Sequence, residues 1–151
     1  MIDQIKFLRS DDIFLARDGL GIKPLYYFSN DELVSFSSEI KSLLELVPDG
    51  LMPDFEALQR YMTFLWCPGD GTPVKSIKKL LPGEVITIRA GKIVDRVNWF
   101  ELPQSKVVKK ISSADDAVIQ VRQSLFRAVE RQMVADVPVG AFLSGGLDSS
   151  A

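Results

Sequence analysis

The chain has 151 residues, a formal net charge of −2, 46% hydrophobic and 25% charged residues, the composition of a soluble globular protein able to build a core. It has no histidine and one cysteine, Cys67, which excludes His-based general bases, His-ligated zinc, Ser-His-Asp or Cys-His catalysis and an internal disulfide within it. Acids outnumber Lys and Arg, no long basic run occurs, no apolar run reaches membrane-spanning length and no signal-peptide core opens the chain. The expectations are therefore no nucleic-acid partner, no membrane and a cytoplasmic location.

In chain order, residues 1–12 admit a short strand and a turn at Ser10-Asp11-Asp12. Ile13 to Ala16 reads as a strand, Arg17 to Pro24 as a turn-rich connection, Leu25 to Phe28 as an aromatic strand and Leu33 to Ser37 as the next. Their short connections predict one antiparallel meander. Ser38 is placed to cap a helix with Ile40, Leu43, Leu44 and Val47 on one face, ended by Pro48-Asp49-Gly50. A second helix starts near Pro53 with Asp54 and Glu56 in its first turn, and Phe55, Leu58, Met62 and Leu65 are expected in the core. Residues 66–73 form a loop, in which Cys67 is expected to be an idle thiol. Val74 to Leu81 reads as a link whose Lys75, Lys78 and Lys79 face solvent. Pro82-Gly83 is a turn, and Glu84 to Arg89 and Lys92 to Trp99 flank Ala90-Gly91 as a hairpin with Ile93, Val97 and Trp99 on one face.

Residues 101–112, rich in Pro, Ser and Lys, read as a linker. Ser113, with Asp116 three positions on, opens a long helix striped by Val118, Val121, Leu125, Ala128, Val129 and Met133 and stopped by Pro138. Val139 to Leu143 reads as a buried strand. It runs into Ser144-Gly145-Gly146-Leu147-Asp148-Ser149-Ser150. Glycines let the backbone approach an anion, and the hydroxyls of Ser144, Ser149 and Ser150 can donate to phosphate oxygens. The expected helix after it, whose positive end would assist, is read as missing from this chain. The loop is not a Walker A loop, because no Lys follows the glycines. Ser-Gly-Gly alone is equally compatible with a plain turn.

The full string resembles the pyrophosphate loop of the N-type ATP pyrophosphatases. That resemblance implies that Ser144, Gly145, Gly146, Asp148 and Ser149 hold the ATP phosphates, flanked by Leu143, Leu147 and Ser150, with Leu143 beside the nucleotide through its backbone. Asp148 would reach Mg²⁺ by way of the phosphates, since a carboxylate near phosphate needs a bridging cation. Upstream, Arg17 to Tyr27 with Phe36 to Lys41, then Leu80-Leu81-Pro82-Gly83 and the hairpin, resemble the later part of a class II glutamine amidotransferase domain. The order of the two parts is similar to that of glutamine-hydrolysing asparagine synthetase. The resemblance implies three regions. Residues 1–100 are the C-terminal portion of the amidotransferase domain, 101–112 the linker and 113–151 the start of the synthetase domain.

The implied fold is α+β, with antiparallel sheets of an incomplete αββα Ntn-type sandwich, followed by the start of an α/β Rossmann-like ATP-pyrophosphatase domain. Open sheet edges and aggregation, or dependence on a companion fragment, are expected for the sheets by themselves. The family's substrates are ATP, aspartate and glutamine, with Mg²⁺ as cofactor and a homodimer as the full-length assembly. Met1 is not a nucleophilic cysteine, the family's Asn-Gly-Glu segment does not occur, and residues 1–12 fit the family poorly. The reading is a truncated chain, from a broken frame or a truncated gene, with no catalytic and no glutamine-binding residue assigned and no activity by itself. Arg17 and Asp18 are expected to be a turn-stabilising pair, against the alternative that they shape the floor between two sites. A sugar amidotransferase or β-lactam synthetase fragment and a non-catalytic interaction module are the competing readings.

Overall fold

The structure, a computed structural model, describes residues 5–7, 12–47, 51–102, 111 and 113–150. It divides into two compact units, Met1–Pro103 and Gln104–Ala151. The first contains β1 (Ile5–Phe7), β2 (Ile13–Ala16), β3 (Tyr26–Ser29), β4 (Val34–Ser37), α1 (Lys41–Leu44), α2 (Phe55–Phe64), β5 (Ile77–Lys79), β6 (Glu84–Arg89) and β7 (Lys92–Asn98). The second contains α3 (Ala114–Gln132) and the single turn α4 (Leu147–Ser150). Among the described residues, no helix is long and apolar enough to cross a membrane.

The strands form two sheets, β1-β2-β6-β7 and β4-β3-β5, and every described pairing is antiparallel. The single meander expected from short connections is therefore corrected. β3 and β4 make the predicted hairpin, but β2 pairs with β1 and β6, and the 17–25 segment carries the chain from one sheet to the other. β5 was expected to be link, because Lys78 and Lys79 hide its one inward apolar residue. Ile77 is fully buried and pairs with Phe28.

Alternation along β3 sets the layers. Tyr27 joins Leu15, Leu25, Leu80, Ile86 and Ile88 in the core between the sheets, to which β4 adds Val34 and Phe36. Phe28 points the other way, to Leu43 and Ile77, with Ile40, Leu44 and Val47 of the α1 segment packed around them. Sheet, sheet and helical segment thus stack in three layers, and burying each such Leu or Ile contributes roughly 1.5–3 kcal/mol.

The α1 stripe is correct but its cap is not. The helix is one turn long, Ile40 stands at its N-cap without a side-chain bond, and the Ser37 hydroxyl, not Ser38, accepts from the Glu39 amide. The expected terminator at residues 48–50 lies outside the described residues. α2 starts later than expected, and Asp54, placed in its first turn, is instead its N-cap, accepting from the Ala57 amide at 3.0 Å. Its predicted core face is corrected, because Phe55, Met62 and Leu65 are 78%, 78% and 81% exposed and Ala57 is the buried residue.

In the β6–β7 hairpin, Ala90 and Gly91 take φ of 48° and 75°, the mirror-image turn that matches strand twist. The register shifts between Thr87 and Ile88, so that Ile93 faces Ile88 while Asp95 faces Thr87. That bulge inserts Val94 and reverses the faces beyond it. Ile93 packs on the core, Val97 and Trp99 are exposed instead of sharing its face, and Arg96 takes the inward register opposite Ile86.

In the second unit, Ser113 caps α3 by accepting from the Asp116 amide at 3.1 Å. The helix has no buried residue, and its apolar stripe is exposed. Val139 to Leu143 is not a buried strand. It pairs with no described strand, and Phe142 and Leu143 are exposed. A lone segment cannot form a ladder, so the expected Rossmann-like sheet is not present among the described residues. Most of the 101–112 linker lies outside them.

Leu15→Ala or Ile86→Ala, each opening a void in the inter-sheet core, should lower unfolding free energy by about 2–5 kcal/mol in guanidinium titrations. Phe55→Ala, on the exposed face of α2, should change it by no more than about 0.5 kcal/mol.

Candidate functional site

Two places hold the sequence-predicted residues, one in each unit. In the first, Arg17 follows β2 directly and turns its guanidinium onto three carbonyls. Nε donates to Lys23 O at 2.9 Å, Nη1 to Leu80 O at 2.7 Å and Nη2 to Gly21 O at 2.9 Å. Its own amide and carbonyl are taken by Glu84 O at 3.0 Å and Trp99 Nε1 at 3.2 Å. The side chain therefore joins the 17–24 loop to the residue after β5, while the backbone of the same residue ties in the start of β6 and the segment after β7. A guanidinium suits this, having five donors in a fixed fork.

Asp18 completes the turn from the other side. Its carboxylate accepts from the amides of Leu20 at 3.1 Å, Ile22 at 2.9 Å and Lys23 at 3.1 Å. Its carbonyl accepts from Gly21 and Gly83, each at 3.0 Å. Slight burial acts to raise the Asp18 pKa, but amide donation from Ile22, Lys23, Leu20 and Gly21 outweighs it, and the pKa lies below the ordinary 3.8. Gly21 and Gly83 have φ of 67° and 71°. A Cβ at Gly83 would sit 2.6 Å from Phe100 O, so the position requires glycine on both counts. The expected turn-stabilising role of the pair is what the geometry displays.

Sequence reasoning missed three polar groups here. Arg96 bonds Glu84 Oε1 at 2.6 Å and the Tyr27 hydroxyl, while Glu84 Oε2 accepts from the Leu81 amide at 2.7 Å. Arg89 grips Asp12 with two bonds of 2.7 Å. Lys79, expected in solvent, is half-buried, donates to Cys67 O and lies 5.7 Å from the centre of the Trp66 ring. Cys67 is a half-buried free thiol that donates to Ala57 O at 3.4 Å. The Arg96 contacts depend on the bulge, which leaves no mark in the residue pattern.

In the second unit the predicted phosphate residues are contiguous, from Leu143 to Ser150. The turn is made at Gly145, with φ of 73° and open space where a side chain would stand. The helix read as missing begins here, as the turn Leu147–Ser150 with Asp148 in it. Leu143, Leu147 and Asp148 are exposed, and the side chains of Ser149 and Ser150 lie outside the description. A Cβ at Gly145 would meet nothing within 4 Å, so the backbone of the turn is open to its surroundings. Among the described residues no three Cys, Asp or Glu side chains converge. Asp148 could therefore hold Mg²⁺ only with phosphate oxygens completing the shell.

The chain belongs to the glutamine amidotransferase domain family, whose pattern matches residues 7–99. A second family pattern, asparagine synthase, matches residues 120–151. The chain is 39% identical over 139 residues to asparagine synthetase (glutamine-hydrolyzing) 1 of Bacillus subtilis, covering 91% of this chain and 21% of that protein. It is 37% identical over 140 residues to asparagine synthetase (glutamine-hydrolyzing) 3 of the same organism, covering 92% and 22%. To amidase chry2 of Gibberella zeae it is 32% identical over 140 residues, covering 92% and 20%. The chain thus spans about a fifth of the length of the curated relatives it matches.

Arg17→Lys keeps the charge but loses the fork, and should destabilise the fold by about 1–3 kcal/mol in denaturant titrations. Because the native pKa of Asp18 is depressed, its contribution is complete above the unfolded value and is lost as pH falls through the native one. Wild-type stability should therefore fall as pH drops below the ordinary carboxylate value of 3.8, and Asp18→Asn should flatten that part of the stability–pH curve.

Proposed function

We propose that this chain is part of an ATP-dependent, glutamine-hydrolysing asparagine synthetase. Residues 1–100 would form the closing portion of an αββα Ntn-type glutaminase domain, 101–112 the linker and 113–151 the opening of a Rossmann-like ATP-pyrophosphatase domain. The observation that carries the reading is the open, left-handed turn at Gly145, lying inside the stretch matched by the asparagine synthase pattern and after the amidotransferase unit.

In this reading Leu143, Ser144, Gly145, Gly146, Leu147, Asp148, Ser149 and Ser150 hold the ATP phosphates. Asp148 takes part in holding Mg²⁺, by way of phosphate oxygens. ATP would supply the activation: the β-carboxylate of aspartate attacks its α-phosphorus and expels pyrophosphate, giving a β-aspartyl adenylate, and ammonia released from glutamine (leaving glutamate) displaces AMP to give asparagine. The residues of this chain contribute binding alone. Gly145 turns the backbone where a side chain would block an anion, and the serines donate hydrogen bonds. The complete enzyme is proposed to be a cytoplasmic homodimer. Aspartate is favoured as acceptor over a sugar or a β-lactam precursor, since the most similar relatives above carry the asparagine synthetase name.

The purified 151-residue chain should release neither ammonia from glutamine nor pyrophosphate from ATP and aspartate. MgATP should nonetheless perturb the amide resonances of residues 144–150 saturably, and Gly145→Val should abolish the effect. Turnover by the chain itself, or spectra unchanged by MgATP, would overturn the proposal.

A further inference from the structure

Beside the Arg17–Asp18 loop lies a cavity of about 630 Å³, walled by that loop, the end of α2 and the 65–73 segment. Its size is that of small-molecule sites, which run to roughly 300–1,000 Å³. Among the described residues, the charged side chains lining it are Arg17 and Lys79, both cationic, and Tyr26, Tyr61 and Trp66 give it aromatic surface. Among the described residues, the Lys79 ammonium makes no ion pair within 4.0 Å, and Asp70 acts on it only electrostatically. Burial lowers its pKa first, the Cys67 thiol and Asp70 act in opposition, and Arg17 adds to the lowering. Asp70 is not part of the cavity lining.

Donors remain for a ligand. Arg17 gives N–H groups to three carbonyls, and a guanidinium has five. Lys79 donates to the Cys67 carbonyl, a dipole that does not neutralise an ammonium, and an ammonium has three donors. A carboxylate supplies the missing charge and accepts from both groups in the strong, charge-assisted manner. Trp66 and Tyr61, 60% and 47% exposed, present flat apolar surface for the rest of the ligand. The last turn of α2 also borders the cavity at Tyr61 and Leu65. Its negative end disfavours a multiply charged anion such as phosphate and leaves a monoanion preferred.

We propose that this cavity binds a small monocarboxylate with a flat, apolar body, using Lys79 as charge partner and Trp66 as stacking surface. The proposal does not depend on the synthetase reading. The test titrates benzoate, and its neutral analogue benzamide, into the intact chain while NMR follows the Trp66 indole and the Gly69 and Gly71 amides. Benzoate should shift these signals saturably and bind about tenfold or more tightly than benzamide, the worth of one charge-assisted contact. Lys79→Gln, which can still donate to the Cys67 carbonyl, should erase that preference, and Lys79→Arg should retain it. No saturable shift at the cavity, equal affinity for the two probes in the wild-type chain, or a preference that survives Lys79→Gln would overturn it.

Discussion

The first unit depends on one side chain that answers several backbone groups at once. Carbonyls of the 17–24 loop and of the segment between β5 and β6 converge on the Arg17 guanidinium. Without it they would meet as like dipoles with no donor between them, and a buried carbonyl without a partner costs about as much as the net worth of a hydrogen bond or more. Asp18 performs the complementary task, collecting amides that point inward from the same turn. The adjacent residues of opposite charge therefore act on opposite backbone polarity. That division explains why the chain can leave one sheet at Ala16 and enter the other at Tyr26 through an irregular loop.

The crossover has consequences for both sheets. It places Leu25 and Tyr27 against Leu15, Ile86 and Ile88, so the loop fixes the distance at which the sheets' inner faces meet. Arg96, turned inward by the β7 bulge, spans the same interval through Glu84 and Tyr27. The two arginines differ in kind. Arg17 serves backbone oxygens, whereas Arg96 completes a side-chain network in which Glu84, nearly buried, also holds the Leu81 amide. A buried carboxylate with cation and amide donors on both oxygens is stable; with one partner removed it would be a liability.

Legibility in the sequence followed the range over which each feature is decided. Ser113 and Ala90-Gly91 were readable because a cap or a two-residue turn is settled by neighbours in the chain. The sheet to which β2 belongs was not, since Ile13 to Ala16 meets β6 through pairings remote in sequence and nothing in four apolar residues names their partner. The bulge at Val94 escaped because a one-residue insertion leaves the alternation on either side intact while reversing its sense. The apolar faces of α2 and α3 followed helical periodicity, but periodicity identifies a face and not what covers it, and both stripes are exposed. The turn within the Leu143–Ser150 string was legible because Gly145 supplies a left-handed backbone locally. The strand expected before it was not formed, because a strand is defined by a neighbour.

Amide hydrogen exchange in wild-type and Arg17→Met chains examines the loop most directly. The guanidinium holds the turn on which Asp18 gathers its donors. The prediction is slow exchange at Gly21, Ile22 and Gly83 in the wild type and a joint loss of protection at those three amides in Arg17→Met, with the β6–β7 amides still protected. Unchanged protection at the three amides in the variant, or fast exchange there in the wild type, would contradict the account.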